Sequence, residues 1–457
     1  MKPYSSLLIA VIAAGSSALS AAEIQVPQDH PKIQDAIDAA KSGDTIIVAP
    51  GRYEERIKLT PGITVRSKGA DGKGKLGLTR AEASIIDGGG DQGKSPGVEM
   101  AEGATLDGFT VTNVGIYDEK KWQKNWEEKG ANQSHEHIGG FGVPGIAVTG
   151  VTCTIRNNIV HHIGTTGIAI RGEKGKRCSP LVYGNVCYRN MGGGIGSMKG
   201  SKAFIINNIC FENFYAGIGH DNASPIVADN ECYGNIRAGI GISESACPVV
   251  QNNRCYKNRR AGIGIRTDST TRPIVQNNDC FENGMSGIGI DEEAEPYILN
   301  NQCHDNKLAG IGCRNHAKPH IQGNHCKNNQ TVGIAISGKS HARVIDNVCT
   351  ENKLVAFAIP GESSAVLIGN TFSRSSGMPP IVVIQHGSSA TLIENTIEGG
   401  GIAGIMVQGK ATLTKNTITG SKGVSGIWIH GKGEAILSGN QISGYKKPVN
   451  DQSKSSK

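Results

Sequence analysis

Pro248-Val-Val-Gln-Asn-Asn253-Arg-Cys255-Tyr-Lys-Asn258 runs into Ala261-Gly-Ile-Gly-Ile265. Pro273-Ile-Val-Gln-Asn-Asn278-Asp-Cys280-Phe-Glu-Asn283 runs into Ser286-Gly-Ile-Gly-Ile290, and Pro296-Tyr-Ile-Leu-Asn-Asn301-Gln-Cys303-His-Asp-Asn306 into Ala309-Gly-Ile-Gly-Cys313. The period is about twenty-three residues. A fixed period of this length marks a solenoid, whose repeats bury their apolar faces only by stacking. The segments within one repeat are too short for helices and rich in Ile, Val and Gly, with turn residues between them. The pattern predicts an all-β, single-stranded right-handed parallel β-helix (solenoid), its coils about 4.8 Å apart. Equivalent residues then form columns.

Cys187, Cys210, Cys232, Cys255, Cys280, Cys303, Cys326 and Cys349 share one repeat position, which later holds Phe372, Ile397, Ile418 and Ile442. A position open to Cys, Ile and Phe is a core position, where a thiol behaves as a small hydrophobe. Disulfides between coils are disfavoured by parallel Cβ directions, and eight stacked thiols match no tetrahedral metal site. Asn185, Asn208, Asn230, Asn253, Asn278, Asn301, Asn324, Asn347, Asn370, Asn395, Asn416 and Asn440 mark one turn. A second set, Asn190 to Asn352, marks the next. Stacked amides can satisfy one another, so both sets read as structural.

The chain of 457 residues has 63 glycines, few aromatics and a net charge of +7. This composition suits a thin aliphatic core with many turns, and the charge favours an anionic partner. No basic run in the body of the chain suggests nucleic-acid binding. Lys2, the apolar stretch Leu7 to Ala14 and Ser20-Ala21-Ala22 have the layout of a secretory signal peptide. That stretch is too short to span a membrane. The reading is a signal peptide over 1–22, a β-helix over 23–445 and a disordered basic tail over 446–457. The mature chain is expected to be periplasmic or secreted and monomeric.

Pro31 to Ala40 has apolar residues at helical spacing and is expected to cap the open end of the core. Gly43-Asp-Thr-Ile-Ile-Val-Ala-Pro-Gly-Arg-Tyr-Glu54 and Ala104-Thr-Leu-Asp-Gly-Phe-Thr-Val-Thr-Asn113 follow. These stretches resemble the opening of right-handed parallel β-helix proteins of the pectin-lyase-like superfamily. They are especially similar to NosD-like proteins and to the carbohydrate-binding and sugar-hydrolysis repeat group. The resemblance implies the fold; that fold hosts lyases, hydrolases, epimerases, adhesins and binding proteins.

Residues 117–140 break the rhythm with charges, Trp122, Trp126, His135 and His137. Two readings stand: an amphipathic helix packing both indoles against the solenoid, or a lid whose indoles hold a sugar. His135 and His137 lack a third ligand, and no metal or cofactor is assigned.

Two outward columns could carry chemistry. Tyr188, Phe211, Tyr233, Tyr256 and Phe281, then His304, could be a stacking platform for a polysaccharide or a ladder that stabilises the sheet. The other column includes Asp221, Arg266, Asp291 and Arg314, with Asp268 and His316 beside it. It is either a surface ion-pair ladder or the acid–base and carboxylate-neutralising set of a uronate lyase, epimerase or hydrolase. His220 interrupts a column of isoleucines and reads as a core histidine. His304, His316, His320, His325 and His341, with Cys313 nearby, invite the copper handling that a NosD-like resemblance implies, but the register scatters them over different columns. The expected partner is an acidic polysaccharide, either bound only or bound and processed, with a non-catalytic envelope scaffold or a copper-handling accessory as alternatives.

Overall fold

The computed structural model describes residues 21–128, 142–420 and 423–453. The first twenty residues of the expected signal peptide, His135 and His137, and residues 454–457 lie outside the described residues.

Three parallel sheets of 17, 16 and 16 strands run the length of the molecule, each coil giving one short strand to each sheet. The result is the right-handed parallel β-solenoid that the repeats imply. Register follows the columns: Cys187 pairs with Cys210, Cys232 with Cys255 and Cys280 with Cys303. The second sheet then continues through Phe372, Ile397 and Ile418. Every thiol of the column is fully buried, and all the cysteines are free.

The Asn column is a continuous amide ladder. Asn253 Nδ2 donates to the Oδ1 of Asn278 at 2.9 Å and to the carbonyls of Val227 and Gln251. Its backbone N–H donates to the same Oδ1 at 3.0 Å. Each turn therefore carries its buried polar groups from coil to coil without water.

Helix α1 (Ile33–Ala39) buries Ile33, Ala36 and Ile37 over the N-terminal end of the core. Glu55 accepts from the free N–H groups of Ile33 and Gln34, at 2.9 and 3.0 Å. A carboxylate is well placed at these unpaired donors. The opposite end corrects one expectation. Lys446 and Lys447 do not begin a disordered tail: Lys447–Asp451 is a strand paired with Ser425–Ile429, and Val449 lies beside Ile427. A short turn after Ser443 returns the chain for one more strand.

Helix α2 (Thr79–Ala83) is short. Helix α3 (Glu119–Glu127) lies in the insertion and packs against the solenoid. Trp122 is 2% exposed, in a cluster with Phe214 and Ile236. Its Nε1 donates to the carbonyl of Glu212 at 2.8 Å. The Arg189 guanidinium lies 4.1 Å from its ring, and Trp126 stacks on it at 5.3 Å. Arg259 in turn sits over Trp126. The indoles anchor the helix, as the first reading of the insertion has it, with Trp122 buried and Trp126 half-buried.

Candidate functional site

The third sheet is built from the Gly-Ile-Gly-Ile strands, whose isoleucines point inward. Each strand has two glycine positions with different physical roles. At the first, a Cβ on Gly262 would meet Gly287 O at 2.7 Å, Asn283 Nδ2 at 2.8 Å and Cys280 Cβ at 3.1 Å. Packing demands glycine there. At the second, the nearest atom to a Cβ on Gly264 would be Ala238 Cβ at 3.7 Å, and for Gly289 it would be Ala261 Cβ, also at 3.7 Å. Neither has a positive φ. The fold does not require glycine at these outward positions, where it forgoes strand-favouring side chains. Glycine in a strand without such a need often marks a place where a ligand or another backbone approaches closely.

These outward glycines form the floor of a groove of about 380 Å³ along several coils. Tyr215, Arg237 and Arg260 line it before the floor strands, and Arg266, Asp291 and Arg314 after them. Among the described residues the lining thus carries four guanidiniums and one carboxylate. Arg260 is 8% exposed. Its pKa is pulled down to about 10, first by burial and then by the positive charges of Arg237, Arg314 and Arg266, against the opposing pull of Asp291. It stays cationic at neutral pH. Arg237 lies over the Tyr215 ring at 5.3 Å. Asp291 Oδ2 accepts from Arg314 Nε at 2.7 Å and Nη2 at 2.6 Å, while Oδ1 accepts from Asn315 Nδ2 at 2.7 Å. The chemistry on offer is anion recognition beside a flat, bare surface.

Of the charged residues expected to act together, the structure brings Arg266, Asp291 and Arg314 into this groove. Asp221 lies on the same sheet beside Ser243 but does not line the groove. Asp268 belongs to a turn, where its carboxylate accepts from the Thr270 N–H at 2.7 Å and from the Thr270 hydroxyl. His316 is exposed in another turn at φ 66. Neither Asp268 nor His316 reaches the groove.

The aromatic row sits on the second sheet, away from these charges. Tyr188, Phe211, Tyr233, Tyr256 and Phe281 stack at centroid distances of 4.9, 5.0, 5.1 and 4.8 Å, with interplanar angles of 2°, 2°, 13° and 7°. His161 and His304 close the two ends of the row. A pyranose stacks on a ring face, and each of these faces is covered by its neighbour. The five half-buried rings form a stacked ladder of the kind that stabilises a sheet, the second of the two roles expected of them.

The family model described as "Right handed beta helix region" matches residues 131–278, 250–379 and 380–456. The chain belongs to this β-helix family. No curated protein matches the sequence. Among solved structures, the β-helix is similar to the periplasmic alginate epimerase AlgG, at 14% identity and a TM-score of 0.43, covering 81% of this chain and 83% of that one. It is also similar to the A-module of the mannuronan C-5 epimerase AlgE6 of Azotobacter vinelandii, at 14% identity and a TM-score of 0.37, with 91% and 89% covered. A third is the catalytic unit of an alpha-1,3-glucanase from Streptomyces thermodiastaticus, at 14% identity and a TM-score of 0.40, with 97% and 72% covered. These likenesses concern the fold.

Sequence reading missed Tyr215, Arg237 and Arg260 in the β-helix groove. The signal was present: each directly precedes a small residue and glycine at one repeat position, as in Arg237-Ala-Gly and Arg260-Ala-Gly. The histidines that invited a copper reading are spread out. His304 and His325 are on the second sheet and His320 and His341 on the first. Among the described residues no three His, Cys, Asp or Glu side chains gather to hold a metal ion. No helix among them is long and apolar enough to cross a membrane.

Proposed function

We propose that this protein is an exported binder of an anionic polysaccharide, which it holds in the groove of the third sheet. The observation that carries the reading is the convergence of Arg237, Arg260, Arg266 and Arg314 on a floor of glycines that the fold does not need. Guanidiniums recognise carboxylates in bidentate fashion, and partial burial strengthens the attraction. The bare floor leaves room for sugar rings to lie flat. Export is supported by the leader-like pattern of residues 1–22.

Binding is favoured over bond cleavage by what lines the groove. Among the described residues its one carboxylate, Asp291, is already committed to Arg314, whereas glycoside hydrolysis uses two. Among the described residues its lining includes neither His nor Lys to abstract a proton at C5 of a uronate, and its Tyr215 ring is covered by Arg237.

The test is calorimetric titration of the mature chain with polyglucuronate (fully oxidised cellulose), polygalacturonate and neutral cello-oligosaccharides. Saturable binding of a polyuronate is expected, weakening with added salt, without binding of the neutral chain. The double variant R237Q/R260Q is expected to lose at least tenfold in affinity. Absence of polyuronate binding, or equal affinity in the double variant, would overturn the proposal. No ultraviolet signal from unsaturated uronates is expected.

A further inference from the structure

A strand buried on one face alternates apolar residues inward and polar residues outward. The second sheet obeys this: Glu231, Arg254, Asp279 and Gln302 stand at one outward position in successive coils. The first sheet does not. Its outward row Leu181, Phe204, Ile226, Val249, Ile274 and Tyr297 runs in unbroken register from coil to coil, about 24 Å along the solenoid axis. All but Val249 are 37–51% exposed, and Tyr183 is exposed on the same face two residues beyond Leu181. The core has no need of this row, since the inward residues beside it, from Val182 and Ile205 to Ile298, are already fully buried. A contiguous exposed apolar row marks an interaction surface.

The charge at one end of the row indicates the partner. The turns leading into strands Leu181–Tyr183 and Phe204–Ile206 carry Lys174, Lys176, Arg177, Lys199 and Lys202, all exposed, against the single acid Glu173. Glu173 holds Lys176 at 3.0 Å. Among the described residues the other four cationic side chains have no hydrogen bond or ion pair. Lys202 stands two residues before Phe204 and so on the same side of its chain. The far end of the row differs: Glu292 and Glu293 precede Tyr297, and Glu295 is held between Arg272 and Lys318 at 2.7 and 3.4 Å. Unpaired cations beside exposed Leu, Phe and Tyr complement an anionic bilayer, which takes the apolar side chains at its head-group boundary and the cations at its phosphates. A second copy docked two-fold on this end would instead bring like charges together.

We propose that the Leu181–Ile226 end of the first sheet seats the protein on an anionic lipid bilayer. Leu181, Tyr183, Phe204 and Ile226 enter the head-group layer, and Lys174, Arg177, Lys199 and Lys202 lie at its phosphates. The arginine-lined groove is on another sheet, so both surfaces can be engaged at once.

The test is co-sedimentation of the mature chain with vesicles of phosphatidylcholine alone and of phosphatidylcholine with phosphatidylglycerol. Binding to the anionic vesicles is expected to be at least tenfold tighter than to the neutral ones and to weaken with added salt. The double variant L181Q/F204Q is expected to lose at least tenfold in affinity and K199Q/K202Q at least threefold. All four side chains are exposed, so both variants are expected to melt as the wild type does. An environment-sensitive dye on Cys247, the exposed thiol two residues before Val249, is expected to shift to the blue on anionic vesicles. No binding to anionic vesicles, or wild-type affinity in both double variants, overturns the proposal. A dye that stays in water while vesicles bind places the contact on another face and also overturns it. A wild-type dimer that L181Q/F204Q dissolves, seen by sedimentation velocity without vesicle binding, would assign the face to a second copy and overturn it as well.

Discussion

At the scale of single residues, the solenoid holds one group its core does not fit. His220 occupies an inward position between Ser197 and Ile242. Its Nδ1 lies 2.7 Å from the Ser197 hydroxyl, and its Nε2 has no hydrogen-bond partner among the described residues. Burial lowers its pKa to about 3. The ring is therefore neutral in the folded chain, while in the unfolded chain it takes up a proton near pH 6.5. Between these values the unfolded state binds more protons, so stability falls as pH drops from about 6.5 toward 3. The loss is about 1.4 kcal/mol per pH unit from this group. H220I restores the isoleucine of the column. Chemical unfolding from pH 6.5 to 4 is expected to show a pH slope shallower by about that amount than in the wild type; an unchanged slope would mean that the ring is already charged in the fold.

At the scale of the strand, the two glycine positions make opposite predictions. G262A forces a methyl group against Gly287 O and the Asn283 amide, and overpacking of this kind costs about 1–3 kcal/mol. G264A meets only open space beside Ala238 and is expected to change stability by about 0.5 kcal/mol or less. G264V should fold normally yet weaken polyuronate binding by filling the floor. Melting curves and titrations of the three variants check this pair of outcomes. The contrast also shows what repetition reveals. The Cys and Asn columns were legible because their chemistry follows from recurrence alone: a slot shared by Cys255, Phe372 and Ile418 must be inside. Arg266, Asp291 and Arg314 were legible as a column but not as the side of a groove, because depth comes from Gly264 and Gly289 next to them. Arg237 and Arg260 went unread because they sit at a turn, where periodicity says little about direction. The choice between ladder and platform for Tyr233, and between anchor and lid for Trp122, stayed open for a related reason. Whether a ring offers its face depends on how closely the next coil or helix α3 approaches, and spacing along the chain does not record that distance.

At the scale of the molecule, the solenoid is one body whose coils touch only their neighbours, so its stability is a sum of local stackings. The thiol column tests how cooperative that sum is. Its eight thiols run through the middle of the rod and are fully buried. Burial holds the proton on thiols such as Cys210 and Cys255, and a thiol that keeps its proton is a poor nucleophile. Cys247 alone among the twelve cysteines is exposed. A disulfide reagent at pH 8 is therefore expected to modify about one thiol per chain quickly, and C247S should abolish that phase. The other thiols can react only when coils open. If the amide ladders bind the coils into one cooperative unit, the buried thiols should react together, at a rate that follows global unfolding in denaturant. If coils open independently, those nearest the ends of the column, Cys187 and Cys349, should be modified ahead of Cys255 and Cys280. The ladder of Asn158 to Asn440 extends beyond both ends of the thiol column without a break, which favours the single phase. Mass spectrometry of the partly modified chain separates the two outcomes, and an ordered gradient from the ends inward would show that the amide ladder does not couple the coils.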